Sequence, residues 1–279
     1  MVTRRQFIVG SAALVAAAGV GAYASFVEPH WLEVIRRRMP VRNLPGELEG
    51  ATLAHLADTH IGPVSDAFLG DAFATLSAVE PDIVVITGDL TATYHPGVVD
   101  EVKRVSTNLP RGRLATLAVL GNHDYGPEWT DAEHAELVTG AFEGVGIRVL
   151  SNELISVAGL QIAGMDDLWS GRFDPGQALA ELDPDRAMMA LTHNPDSADR
   201  AGWDGFEGWI LAGHTHGGQV SLPFFGPPFI PVENERYTCG EFELSGNRRM
   251  YINRGVGYSS MRLRFGVRPE LTLFELHSA

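Results

Sequence analysis

The chain has 279 residues and sets 35 Asp and Glu against 21 Lys and Arg, a formal net charge of −14, so its field repels polyanions and excludes nonspecific nucleic-acid binding. A single cysteine, Cys239, excludes an internal disulfide and a thiolate zinc site and leaves His, Asn and carboxylates as the available metal ligands. With 45% hydrophobic and 20% charged residues, the composition is that of a globular chain with a sizeable core, not of a disordered or collagen-like one.

The first element is an uncharged, Ala/Gly/Val-rich run from Phe7 to Val27, placed directly behind Arg4-Arg5. It is long enough to cross a bilayer as a helix, which needs about 20 residues. Residues 1–27 therefore read as a twin-arginine-type signal, with Ala22-Tyr23-Ala24 as a small-residue cleavage site, or as an ordinary membrane anchor. The first reading implies the twin-arginine export machinery as a partner and a location across the cytoplasmic membrane, in the periplasm or cell envelope. Arg36, Arg37, Arg38 and Arg42 pull the other way, because an excess of arginine behind the apolar run favours the cytoplasmic face, though weakly ahead of a long domain. These arginines either rest on anionic headgroups or form the solvated face of a linker over residues 28–47. Residues 48–279 form one folded domain.

Within that domain, Ala51–Ala57, Ile83–Thr87, Leu114–Leu120, Ala187–Thr192 and Trp209–Ala212 are compact apolar runs, suited to strands buried on both faces. Helical periodicity lies between the first of them. Ser65 can cap a helix whose Leu69, Phe73 and Leu76 share a face. Val98, Val102 and Val105 repeat the pattern after Pro96, and Thr130 with Glu133 forms a capping-box signature ahead of Leu137. The alternating runs around Ala158-Gly159 predict a hairpin. Tyr237–Leu276 reads similarly, as strands turning at Ser245-Gly246-Asn247 and near Arg268-Pro269. The expected fold is α/β: a four-layer α-β-β-α sandwich with two mixed sheets flanked by helices.

The residues just beyond each strand carry the chemistry. The five apolar runs lead into Asp58-Thr59-His60, Gly88-Asp89, Gly121-Asn122-His123-Asp124, His193 and Gly213-His214-Thr215-His216. Ligands of open α/β sheets bind at the carboxyl ends of the strands, so five of the ten histidines converge on one crevice. In three of the turns a glycine precedes the polar residue, which permits positive φ or close backbone approach.

This ordered set resembles the calcineurin-like metallophosphoesterase superfamily, whose series is Asp-X-His, Gly-Asp, Gly-Asn-His-Asp/Glu, a lone His and Gly-His-X-His. All five elements stand in order from Asp58 to His216. The arginine pair and the run Gly213–Val220 make it most similar to the exported, YkuE-type branch. The resemblance implies that Asp58, His60, Asp89 and His216 hold one divalent ion, and Asp89, Asn122, His193 and His214 a second. A shared carboxylate suits two cations about 3.5–4 Å apart. Mixed nitrogen and oxygen donors suit Mn, Fe or Zn and not Ca. The implied activity is hydrolysis of phosphodiester, diphosphate or phosphomonoester bonds by a hydroxide bridging the metals. His123 is then the acid for the leaving oxygen, with Asp124 orienting its ring. A related branch implies a UDP-2,3-diacylglucosamine-type lipid pyrophosphatase on the cytoplasmic face. A reading of another class is a non-catalytic module that binds phosphorylated partners through its metals.

The remaining candidates are weaker. Alternation directs His55 away from the metal turns or into the core; His134 lies on a solvated helix, and His30 and His277 sit near the termini. Tyr94 and His95, in a loop with Pro96-Gly97, either line the cleft or belong to a plain loop. Phe224, Phe225 and Phe229 either pack on the sheet as part of a covering loop or form an apolar rim for a lipid-linked phosphate ester. Arg254, Arg262 and Arg264 are candidates to clamp a phosphate.

Overall fold

The computed structural model describes residues 3–92, 94–95 and 97–279. The chain starts with an apolar helix, α1 (Arg4–Ala22), of which no residue is buried. The Thr3 hydroxyl accepts from the Gln6 amide while the Gln6 side chain accepts from the Thr3 amide, so two of the helix's free N–H groups are satisfied reciprocally. A π-helical turn, Tyr23–Val27, carries the chain from α1 toward the domain.

The domain is built on two six-stranded sheets. The first has the spatial order β1 (Glu33–Val41), β12 (Glu270–Ser278), β2 (Thr52–Leu56), β3 (Ile83–Thr87), β4 (Ala115–Val119) and β5 (Arg148–Leu150). The second runs β10 (Gly240–Glu243), β11 (Arg249–Ile252), β9 (Trp209–Ala212), β8 (Met188–Leu191), β7 (Leu160–Gly164) and β6 (Glu153–Val157). Both are mixed: β2 to β5 are parallel but β12 opposes β2, and β7, β8, β9 and β11 are parallel but β6 and β10 oppose their neighbours. The predicted hairpin at Ala158-Gly159 joins β6 to β7.

Three apolar layers hold the sandwich together. Leu53, Val85 and Val119 of the first sheet meet Ile162, Leu191 and Leu211 of the second. The outer face of the first sheet is covered by α2 (Asp66–Ser77), α3 (Val98–Ser106) and α4 (Ala132–Glu143) through Leu69, Phe73, Val102, Val138 and Phe142. The outer face of the second is covered more thinly, by the single turn α5 (Pro175–Ala178) and by Trp203 and Phe206 from loops. His55 lies fully buried between the sheets, with its Nε2 2.8 Å from Thr87 Oγ1. Of the two placements that alternation allows, the fold shows the core.

Several local expectations change. The stretch 28–47, expected to be a linker, contributes β1, which pairs in parallel with β12 along its whole length. Its arginines are partly neutralised within the domain: Arg37 pairs with Glu241 and Arg42 with Glu207. Helix α4 is capped by Asp131, whose carboxylate accepts from the His134 amide, and not by a Thr130–Glu133 box. Ser65 takes the N-cap position of α2 without a capping hydrogen bond from its side chain. Pro96 lies outside the described residues.

Candidate metal centre and substrate cleft

The carboxyl ends of β2, β3, β4, β8 and β9 deliver their side chains to one place. Asp58, His60 and His216 form one buried group of potential ligand atoms, and Asp89, His193 and His214 a second. Asp89 stands between them: its Oδ2 is 3.6 Å from His60 Nε2 and its Oδ1 is 3.3 Å from His193 Nε2. Asn122 Oδ1 lies 3.2 Å from the same His193 nitrogen. All seven residues named as ligand candidates are thus within this cluster.

The backbone is bent to achieve this. Asp58, His60, Asp89, His214 and His216 all have φ between 44° and 72°, a region that costs a non-glycine residue of order 1–3 kcal/mol. The surrounding loops enforce it, since the Asp58 amide donates to the Gly88 carbonyl and the His60 amide to the Asp89 carbonyl. The glycines of the motif serve a neighbouring strand's side chain. A Cβ on Gly121 would sit 2.3 Å from Asp89 Oδ1, one on Gly88 2.5 Å from the His193 ring, and one on Gly213 2.6 Å from Asp58 Oδ2. Gly255, after β11, makes the same close approach to Asp58. Sequence reasoning missed this sixth strand end, although Asn253-Arg254-Gly255 directly follows an apolar run.

The donor set fits metal ions. His193 Nδ1–H donates to the Thr87 carbonyl and His214 Nε2–H to the Pro231 carbonyl. In the neutral rings those bonds leave the lone pairs on His193 Nε2 and His214 Nδ1, which face each other at 3.1 Å. Two facing lone pairs repel unless a proton or a metal cation lies between them. His60 Nε2 and His216 Nε2 also face each other at 3.1 Å, and His60 Nδ1 is buried without a partner.

The electrostatics agree. Burial pushes the Asp58 carboxyl up to about 8, with the neighbouring Asp89 adding to the shift. Asp89 overcomes its own burial because His193 and His123 hold it well below the usual carboxylate range. Burial likewise lowers His60 and His214 to about 3, whereas His193, against its burial, is raised to about 10 by Asp89. The space between Asp89, His193 and His214 therefore attracts positive charge.

The two residues expected to be catalytic behave differently. His123 lines the cleft, with its Nδ1 2.8 Å from Tyr94 Oη. Asp124 does not orient that ring. Its carboxylate accepts from the amides of Leu90, Thr91 and Gly121, so it ties the Asp89 loop to the Asn122 turn. Tyr94 is the ring's partner, while His95 turns away to Glu101. The phosphate-clamp expectation also fails for two arginines. Arg264 is fully buried and donates to the carbonyls of Arg254, Gly255, Gly257 and Val267, with Nη2 3.3 Å from His216 Nδ1. Arg254 is paired with Glu270 and Glu33.

Over the donors opens a cleft of about 520 Å³, lined by Asp89, Asn122, His123, His214 and His216 at its base and by Trp129, Trp169, Val220, Phe229, Met261 and Leu263 on its walls. Trp129 and Trp169 stack at 4.8 Å, and Trp169 meets His214 edge-on at 4.4 Å. Neither tryptophan was identified from the sequence. Trp169 lies beyond β7 and could have been sought as another strand end, whereas nothing in the spacing marks Trp129. Phe224 and Phe225 do not pack on the sheet: their side chains are 104% and 87% exposed.

Residues 51–218 match the calcineurin-like phosphoesterase family. The chain is 33% identical over 293 residues to the uncharacterized metallophosphoesterase YkuE of Bacillus subtilis (strain 168), a similarity covering 99% of this chain and 98% of that one. It is also 33% identical over 288 residues to the phosphodiesterase YaeI of Escherichia coli (strain K12), covering 99% and 100% of the two chains. The UDP-2,3-diacylglucosamine pyrophosphatase LpxG of Chlamydia trachomatis serovar D is 26% identical over 305 residues, covering 90% and 91%.

Proposed function

The chain belongs to the calcineurin-like phosphoesterase family and is a hydrolase of phosphate esters, and from that premise we propose that it cleaves phosphodiester or diphosphate bonds with two divalent ions. The observation that carries the two-ion reading is the position of Asp89, which offers one oxygen to each group of donors. Asp58, His60, Asp89 and His216 would hold one ion, and Asp89, Asn122, His193 and His214 the other. Mn, Fe or Zn suits this mixed donor set. When bound, such ions supply positive charge to phosphoryl oxygens and acidify a coordinated water.

The protein's own groups do the rest. The fixed ring tautomers of His193 and His214 keep a lone pair on the inward nitrogen. Asp124 holds the Asp89 and Asn122 turns in register through three backbone amides. His123 protonates the leaving oxygen from Nε2, the nitrogen left free by Tyr94. The tryptophan and phenylalanine walls exclude water and favour a substrate with an apolar portion, which supports a lipid-linked phosphate ester.

Residues 1–27 are read as an export signal that also anchors the domain at the envelope side of the membrane. The similarity to LpxG supports a second reading, a UDP-diacylglucosamine-type diphosphate cleaved at the cytoplasmic face. Topology mapping with a reporter fused behind Ala279 separates the two. The enzymatic reading is tested by turnover of bis-p-nitrophenyl phosphate before and after chelation, with restoration by Mn, Fe or Zn. Turnover that survives complete metal removal defeats it, and absence of turnover with every metal favours the phosphate-binding module.

A further inference from the structure

We propose that the hairpin bearing Phe224 and Phe225, together with Met261, inserts into the bilayer that α1 enters, so that the cleft opens onto the lipid headgroups. The proposal rests on reading α1 as a membrane-embedded helix and not on the hydrolytic chemistry.

Three features meet at one residue, Phe265. The end of α1 is docked beside it: the Ala24 carbonyl accepts from the Arg264 amide at 2.9 Å, and the Tyr23 ring meets the Phe265 ring edge-on at 6.5 Å. The Phe-rich hairpin springs from it, because Ser221 N–H donates to the Phe265 carbonyl at 2.7 Å and Phe265 N–H to the Gln219 carbonyl at 3.0 Å. The cleft wall is formed by the same segments, through Gln219, Val220, Met261 and Leu263. Anchor, hairpin and cleft mouth therefore share one edge of the domain.

The composition of that edge suits lipid. Ser221–Pro231 contains no charged residue. The Leu222 amide donates to the Gly226 carbonyl, which closes the loop and puts Phe224 and Phe225 at its tip. Phe224 holds φ at 70°, an unusual conformation for a bulky residue, and its ring is fully exposed. Met261 is 64% exposed on the adjoining loop. Beside the end of α1 lie the aromatic–cation pairs that populate membrane interfaces: Arg262 over Phe26 at 5.9 Å and Arg268 over Trp31 at 3.8 Å. The apolar surface of α1 thus continues onto the domain, and one bilayer covers both. A substrate presented there is an amphiphile whose phosphate lies in the headgroup layer and whose chains stay in the membrane.

The test places an environment-sensitive bimane label at position 225 in the full chain, using Phe225→Cys with Cys239→Ser, and reconstitutes it in phosphatidylethanolamine–phosphatidylglycerol vesicles containing brominated acyl chains. The control label is at Asp204→Cys, an exposed position before the opposite end of β9. The expected result is a blue shift and strong quenching at 225, with neither at 204. A chain that fails to float with the vesicles overturns the anchor reading and this proposal together. A chain that floats with an unquenched label at 225 overturns this proposal alone. A blue shift without quenching by the brominated lipid also overturns it and identifies a protein surface, or a second copy, as the cover.

Discussion

Tyr94 Oη lies 2.8 Å from His123 Nδ1, so the imidazole proposed as the acid is steered by a phenol and not by the carboxylate one residue away. A phenol hydroxyl donates to a neutral ring and accepts from a protonated one, and the contact survives both states. Tyr94→Phe is therefore expected to lower kcat about tenfold, less than the roughly 10²–10⁴-fold cost of losing an acid outright, with KM and metal content unchanged. Asp124→Asn acts on the loop instead and reduces metal content. Metal analysis beside steady-state kinetics checks the pair, and loss of metal from Tyr94→Phe would show that Tyr94 acts structurally.

His123→Ala tests the acid itself. The expected drop in kcat is roughly 10²–10⁴-fold for an ester whose leaving alcohol needs a proton. It should shrink for p-nitrophenolate, which departs without one. Metal content stays near wild type, whereas Asp89→Asn depletes both ions. Equal losses on good and poor leaving groups would remove His123 from that role.

Gly121→Ala probes the close packing behind Asp89. Gly121 has φ of −110°, a conformation open to alanine, so any effect is steric. The added Cβ would sit 2.3 Å from Asp89 Oδ1 and 2.4 Å from its amide nitrogen, and the shared carboxylate must move. Weaker metal retention is expected, read by dialysis against graded chelator and then elemental analysis. Unchanged retention would mean that the loop relaxes without disturbing Asp89.

The buried strands and the ligand candidates were legible because each strand is a short apolar run ending in polar residues, a pattern that local composition carries. What escaped depends on contacts between distant segments. β1 reads as a linker because its arginines look solvated, and only its pairing with β12 makes it a strand. Asp124 looks like a partner for His123 because it is adjacent in the chain, yet the turn points it at the amides of Leu90, Thr91 and Gly121. Trp129 reaches the cleft from a loop with no periodicity to mark it.

His55 gives the fold an acid-sensitive component. Burial lowers it to about 3 from an ordinary 6.5, so the unfolded chain binds a proton before the folded one does. Its contribution is complete above pH 6.5 and declines as pH falls toward 3. At about 1.4 kcal/mol per pH unit, the loss reaches a few kcal/mol across that window. His55→Gln removes the titrating ring and keeps a hydrogen-bonding group for Thr87, so its stability should fall less between about pH 7 and 5. Urea denaturation of both proteins in chelator measures this, and parallel slopes would count against His55 as a source.

The segment Ala22-Tyr23-Ala24 has the small residues of a cleavage site, but its conformation opposes cutting. Ala24 is only 4% exposed, its carbonyl accepts the Arg264 amide, and the backbone continues from α1 through a π-helical turn. A peptidase takes its substrate as an extended strand, which here requires unwinding the turn and separating Tyr23 from Phe265. The expected outcome is retention of α1, seen as an intact mass of about 30.2 kDa and recovery of peptides from residues 6–36. A mature N-terminus at Ser25 would defeat this. Arg262→Ala and Phe265→Ala, which loosen the docked end, should increase whatever cleavage occurs, so the processed fraction should rise with the weakening of this junction.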